Sequence, residues 1–530
     1  MIFLKHLVIA LVTAIFATYP YYKRFLDTDN RINYQWGSAD SCILLSVILC
    51  LAGGFLVAHA LFGKTRLRRL ERTAFVGLMS LCFGFALLDS MKVPVPVAGG
   101  VAGMVALALA ITTWWVPRWE IPRKISALAL IMSPLVLILA IQFATFPFSD
   151  FPKETLAFTH PPAPKNPVII LIFDEWSYER TFVNGELPES FRNLRALSGE
   201  SFFFRQAISG GPRTRYSLPR FFYQTTDPVV VDGSGAFFIH ESQKEPMHER
   251  ESLFAMARKN GYNTFLVGFH LPERLILGDQ ADYIDSPGYI RKPTGLIDFI
   301  RFHALKVADV VLNRVHRSGW ISLSPGSLEK IQYRNHLNYQ HTIELLDGIK
   351  AQGAKILHEP YPNLFLVLHY PVPHPPSIFS AQGEYRGALA EGIKGYTESL
   401  GYVDKLAGEV VGLLKQSGKY DDALLIVTSD HSLRKDHSYK EYLAEAEAVR
   451  HVPLWIKLPH QDKAVDVTEK VYHTNLKPFF EAVFEGRLKD AYAYMERELP
   501  GKPARPPGGV ASQPSGSSTP SPTASAAVGS

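Results

Sequence analysis

The chain has 530 residues, 47% of them hydrophobic, and a formal net charge of +5. That length calls for more than one folding unit, and so modest a charge argues against a nucleic-acid partner. Its three cysteines, Cys42, Cys50 and Cys82, all lie in apolar runs near the start. The remainder therefore has no disulfide, no thiolate metal site and no cysteine nucleophile.

Up to about residue 147 the chain is built of long apolar runs. Five stretches, 7–19, 41–62, 74–88, 97–115 and 126–146, read as candidate membrane spans. A helix needs about 20 mostly apolar residues to cross the hydrocarbon core; the second, fourth and fifth meet that length, and the first and third are short. Lys64, Arg66, Arg68, Arg69 and Arg72 follow the second stretch, and Arg118, Arg123 and Lys124 follow the fourth. The positive-inside rule puts both loops in the cytoplasm. The N-terminus is then cytoplasmic, and everything after the fifth span lies on the far side of a cell's inner membrane. Residues 1–149 thus read as an α-helical transmembrane domain of about five spans. Residues 150–165 form a linker whose prolines favour extended backbone.

The part that follows, residues 166–500, alternates helical and strand patterns, which argues for a mainly parallel sheet covered by helices. NPVIILIFDEW, 166–176, is a buried central strand by composition and ends in Asp174 and Glu175. SLFAMARKNGYNTFLVGFH, 252–270, is a helix followed by a strand, and NLFLVLHYPVPHPP, 363–376, is a strand opening into a histidine-rich loop. DDALLIVTSDHS, 421–432, is another strand, ending in Asp430 and His431. In open α/β sheets, sites form at the carboxyl ends of strands. The tail, 501–530, is rich in Pro, Ser, Ala and Gly and cannot bury a core.

Carboxylates converging from such distant segments repel each other unless a cation lies between them. Mixed oxygen and imidazole ligation favours zinc or manganese over calcium or magnesium. Either acidic pair alone reads as a helix cap or a solvated loop. GGPRTRYSLPRFF, 210–222, taken alone, is likewise only a basic loop. Beside a metal pair, its Thr214 becomes a candidate nucleophile, because a bound cation lowers a hydroxyl pKa. His369, inside the strand LFLVLHY, reads as a packed residue, and His270 ends a strand near the site.

Several segments together resemble the sulfatase and alkaline phosphatase superfamily over roughly residues 166 to 460. They are LIFDE, FRNLRALSGESFFFRQAIS, GYNTFLVGFH and SLGYVDKLAGEVVGLLKQSGKYDDALLIVTSDH, in the superfamily's order. With a multi-span N-terminus, the chain looks like the membrane-bound phosphoethanolamine and phosphoglycerol transferases of bacterial envelopes. Their nucleophile is a threonine followed by a serine-x-proline turn, which TRYSLP matches at Thr214. The resemblance implies that Asp174, Glu175, Thr214, Asp430 and His431 hold the metal, and that His374 and His451 contact the phosphate or leaving group. It also implies a membrane lipid as donor and an envelope lipid or glycan as acceptor; no protein partner is inferred. The chain departs from those transferases in having Asp174 before Glu175 instead of glycine, and Ser432 after the Asp-His pair.

Two other functions remain open on the sequence. A sulfatase needs a formylglycine made from Cys or Ser in a Cys/Ser-x-Pro-x-Arg context. Ser209 is one residue out of register with Pro212, and Gly210 stands where the modified residue belongs. A non-catalytic exported domain that binds an anionic glycan or lipid is the other.

Overall fold

The computed structural model describes residues 2–26, 38–62, 65, 67–91, 95–116, 120–145, 164–232, 235–240, 242–288, 297–298, 333–375, 377–386, 393–434 and 450–503. The expected linker and tail lie almost wholly outside them. Among the described residues, the N-terminal end has six helices: α1 (Ile2–Leu26), α2 (Ser38–Phe62), α3 (Arg68–Ser90), α4 (Val95–Trp115), α5 (Ile121–Ile131) and α6 (Pro134–Thr145). α1 packs on two sides, through Ala10, Ala14 and Ile15 against α2 and through Ile9, Val12 and Phe16 against α3 and α5.

Among the described residues, two helices are long and apolar enough to cross a membrane, Ser41–Phe62 and Arg68–Leu88. The expected fifth span is not one straight helix. It breaks between α5 and α6 with a 42° bend, and counts as a third span only if the pair is taken together. Pro134 accounts for the break, since it lacks the N–H and clashes with the preceding turn. Among the described residues, the expected first and fourth spans are represented by the shorter apolar helical stretches Leu4–Tyr19 and Val101–Trp115.

The C-terminal part is a helix-covered sheet of eight strands in the order β11-β2-β10-β9-β1-β8-β6-β7. The strands are β1 (Val168–Phe173), β2 (Phe202–Ile208), β6 (Asn263–Val267), β7 (Tyr283–Asp285), β8 (Leu364–Tyr370), β9 (Leu424–Ser429), β10 (His451–Lys457) and β11 (Val465–Tyr472). A small antiparallel sheet of β3 (Val229–Asp232), β4 (Gly235–His240) and β5 (Gln243–Pro246) stands apart. In the large sheet only β10 runs against its neighbours, pairing antiparallel with β9 and β2. All other pairings are parallel, as the alternating sequence pattern predicts.

β1 is buried on both faces because it is central. Its Val168, Ile170 and Ile172 enter one apolar cluster and Ile169, Leu171 and Phe173 the other. The first cluster is completed by helices α8 (Thr214–Tyr223), α9 (Leu253–Lys259) and α12 (Lys477–Phe484). The second is completed by α7 (Arg192–Ser198), α10 (Tyr333–His358) and α11 (Ile393–Gln416). This three-layer packing puts the carboxyl ends of β1, β2, β6, β8 and β9 on one edge of the sheet.

Candidate active site

Register decides what meets at that edge. Phe173 of β1 is opposite Ser429 of β9 on one side and Tyr370 of β8 on the other. Asp174 and Asp430, one residue further on, therefore emerge side by side from strands about 4.8 Å apart. Both are buried, as is His431. One ligand atom from each of the three lies within 4.8 Å of the others.

The backbone here is held at every step. Asp174 N–H donates to Tyr370 O at 3.0 Å. Glu175 N–H donates to Asp430 Oδ1 at 3.0 Å and Trp176 N–H to Ser429 Oγ at 2.9 Å. The Tyr396 hydroxyl donates to Glu175 O at 2.7 Å and accepts from Ser177 N–H at 2.9 Å. Glu175 itself has φ 64°, a left-handed conformation that costs a non-glycine residue roughly 1–2 kcal/mol. The strand ends at that turn, and the two consecutive acids take different partners. Asp174 faces Asp430 and His431, whereas Glu175 Oε1 accepts from Arg434 N at 2.9 Å and from Arg434 Nε at 3.0 Å.

His431 is preset as a ligand. Its Nδ1–H donates to Ser432 O at 2.8 Å, which leaves the Nε2 lone pair for the cluster. Nε2 stands 3.6 Å from Asp174 Oδ1 and 3.5 Å from Asp430 Oδ2. Asp430 Oδ1 accepts two backbone amides, those of Glu175 and His431. Its Oδ2 is buried with no hydrogen-bond partner. Two buried carboxylates, an orphaned oxygen and an imidazole lone pair are the donor set a divalent cation fits.

The electrostatics agree. Burial, then the charge of neighbouring Asp430, pushes the Asp174 carboxyl well above its usual range. Burial also opposes ionisation of Asp430, but His431, His369 and the Glu175 amide outweigh it, and its pKa is lowered. Between the two carboxylates, protonation is favoured at Asp174 over Asp430.

Thr214 is delivered to this cluster by the turn after β2. It is buried at the first position of α8, preceded by Arg213 in extended conformation. Its hydroxyl lies 3.3 Å from His431 Nε2 and 3.4 Å from Asp174 Oδ1. Ser209, the residue a formylglycine reading would need, turns its hydroxyl to Gly211 O at 3.0 Å.

The remaining expected residues are placed differently. Glu175 lies beside the trio of ligand atoms and not within it, bonded to Arg434. His374 is brought in: its Nε2 is 3.1 Å from Arg434 Nη2 and 3.6 Å from Glu175 Oε2. His451, expected at the phosphate, is bonded within the protein here. Its Nδ1 meets Glu179 Oε1 at 2.6 Å, its Nε2 meets Arg205 O at 2.8 Å, and its ring stacks on Tyr178. His451 opens β10, the strand that runs against its neighbours in the large sheet. His369 is packed, as its place within a strand suggests: it is fully buried, stacks on Phe269 at 4.7 Å, and burial lowers its pKa to about 4. His270 is neutral for the same reason, at about 3. Sequence reasoning missed Arg434, although it follows His431 by only three residues in the same loop.

A family model described as Sulfatase matches residues 166–480, well over half of the chain. The chain belongs to the sulfatase family. It is an enzyme of the sulfatase and alkaline phosphatase superfamily, whose members use divalent metals. Solved structures that resemble it include the phosphonate monoester hydrolase of Agrobacterium radiobacter, 15% identical, with a TM-score of 0.37 over 60% of this chain and 74% of that one. Another is the lipoteichoic acid synthase LtaP from Listeria monocytogenes, 15% identical, TM-score 0.35, covering 61% and 72%. A third is the PsFucS1 sulfatase from Pseudoalteromonas sp., 15% identical, TM-score 0.37, covering 60% and 68%. No curated protein matches the chain.

For this sulfatase-family site, a cation and a proton compete for Asp174, whose carboxyl burial and the charge of Asp430 hold above its usual range. Zinc or manganese binding, followed by calorimetry in buffers of different ionisation enthalpy, should release protons, and more of them as the pH is lowered. Affinity should fall by up to about tenfold per pH unit on acidification. Asp430→Asn should abolish binding while the melting temperature stays at that of metal-free wild type; wild-type metal content in that variant would contradict the site.

Proposed function

We propose that the protein is a membrane-bound, metal-dependent phosphotransferase. It moves a phosphoethanolamine- or phosphoglycerol-like head group from a lipid donor to an envelope lipid or glycan through an ester on Thr214. The observation that carries this reading is the Thr214 hydroxyl, buried within reach of both Asp174 and His431, while the Ser209 hydroxyl donates to Gly211 O. A divalent cation held by Asp174, Asp430, His431 and Thr214 would lower the hydroxyl pKa and offset charge on the transferring group. Zinc or manganese suits that mixed donor set best.

The chain's own residues supply the rest. Thr214 Oγ1 attacks phosphorus, the bond to the lipid oxygen breaks, and the threonine proton ends on the departing lipid hydroxyl. An acceptor hydroxyl then attacks the phosphothreonine, and its proton returns to Thr214 Oγ1. Position at the start of α8 sets the helix's positive end against the anionic ester. Glu175 anchors Arg434, whose guanidinium adds positive charge beside Asp174. His374 Nδ1 faces Pro375 O, which points Nε2 toward Arg434 and the cluster, where a leaving or entering group would pass.

Thr214→Ala removes the only oxygen that can form this ester, and kcat on bis(p-nitrophenyl) phosphate should fall by about 10³-fold or more. Thr214→Ser should keep measurable turnover, and intact-mass analysis of wild type should show an adduct on the peptide bearing Thr214. Turnover of p-nitrophenyl sulfate that survives Thr214→Ala would favour sulfate ester hydrolysis. Wild type inert on both esters would favour a binding role.

The apolar helices and the basic residues around Arg68 and Arg123 support a multi-pass protein of the inner membrane with its catalytic part outside the cytoplasm. Reporter fusions after residue 150 should be active only with a periplasmic or extracellular reporter. A cytoplasmic signal there would reverse the topology.

A further inference from the structure

The turn that carries Thr214 is held by two arginines from different parts of the chain. Arg450, the residue before β10, places both Nε and Nη2 on the carbonyl of Ser209, at 3.0 and 2.8 Å. Ser209 N–H in turn donates to Arg450 O at 2.8 Å. Arg220, on α8 itself, donates from Nη1 to Gly210 O at 2.8 Å and from Nε to Asp227 O at 2.9 Å. The Ser209 hydroxyl takes Gly211 O at 3.0 Å. Three successive carbonyls, 209, 210 and 211, are thus each bound by a defined donor, three to five residues before Thr214.

The turn also lies flat on the helix it feeds. A Cβ on Gly210 would come 3.0 Å from Arg220 Cβ and 3.1 Å from Ser217 O, and one on Gly211 would come 2.9 Å from Tyr216 Cβ. A side chain at Gly211 would force a shift, and one at Gly210 would need its neighbours to give by a few tenths of an ångström. Using two cations for this is costly. Arg220 is held below its usual pKa by burial and then by the charge of Arg450. Neutral donors would hold carbonyls without that repulsion, and a concentration of positive charge suits an anionic ester on Thr214.

We propose that Arg450 is a positioning residue for Thr214, its guanidinium fixing the Ser209 carbonyl so that the Gly210–Gly211 turn presents the Thr214 hydroxyl to Asp174 and His431. The proposal rests on Thr214 being the nucleophile. Arg450 binds no reacting atom. It acts on the rate of the covalent step and not on affinity, and Arg220 secures the neighbouring carbonyl in the same way.

The test uses the full chain in detergent, loaded with zinc or manganese, on bis(p-nitrophenyl) phosphate. Arg450→Gln should lower kcat about 100-fold, the scale of a 1 Å misplacement of a reacting group. Arg450→Lys keeps the charge but not the two-pronged contact, and should lose about tenfold. In both, KM and metal content should stay within twofold of wild type, and first-turnover release of p-nitrophenol should fall in step with kcat. If Arg450→Gln does not fold, Arg450→Lys decides, and wild-type kcat there overturns the proposal. Thr214→Ala measured alongside separates the two readings. An inactive Thr214→Ala with wild-type kcat in the Arg450 variants removes the positioning role alone. Turnover in Thr214→Ala removes the nucleophile, and the positioning role with it.

Discussion

Two carboxylates buried side by side at the ends of neighbouring parallel strands are the constraint around which this site is organised. Asp174 and Asp430 come from segments more than 250 residues apart, yet the pairing of Phe173 with Ser429 sets them level. Like charges at that spacing in a buried setting cannot both ionise without a compensating cation. The surrounding hydrogen bonds serve the same end. Asp430 Oδ1 is spent on two amides while Oδ2 is left open, and the His431 ring is turned so that its lone pair joins the cluster.

The left-handed turn at Glu175 divides the labour of two adjacent acids. Had the strand continued extended, successive side chains would have pointed to opposite faces of the sheet. Here the turn keeps Asp174 in the cluster and sends Glu175 to Arg434, which adds a cation to a site otherwise rich in negative charge. On the far side, the β2 turn adds Thr214 at a helix start beneath two more arginines. The site therefore sets the nucleophile beside its acidic and imidazole ligands, with the turn that delivers it held by arginines at the carbonyls of Ser209 and Gly210.

Much of this was legible in the residues. The apolar runs ending in Asp174–Glu175 and Asp430–His431 announce buried strands with polar ends, and both are where the pattern puts them. Thr214 heads its helix, and His369 is packed, as their local surroundings indicate. Glu175 and His451 were not legible in the same way. Nothing near Glu175 shows that its backbone is left-handed or that Arg434 will claim its oxygen. Nothing near His451 shows that its strand is the antiparallel one, so that its ring lands on Tyr178 and Glu179. The helices divide similarly: the apolar stretches are real, but Pro134 bends one of them, and among the described residues the fully apolar lengths of two others fall short of a crossing.

By itself the sequence determined which segments are strands and helices, which strand ends carry metal-type ligands, and that a hydroxyl turn with paired glycines accompanies them. Those properties depend on side-chain type and on periods of two and 3.6 residues, which act over short stretches of chain. Only the tertiary structure decided which ligand atoms come within reach of one another, because strand order, direction and register are set by hydrogen bonds between residues hundreds of positions apart. The same holds for Arg434 and Arg450. An arginine reads alike in any loop until the fold shows which carboxylate or carbonyl its rigid donor array meets.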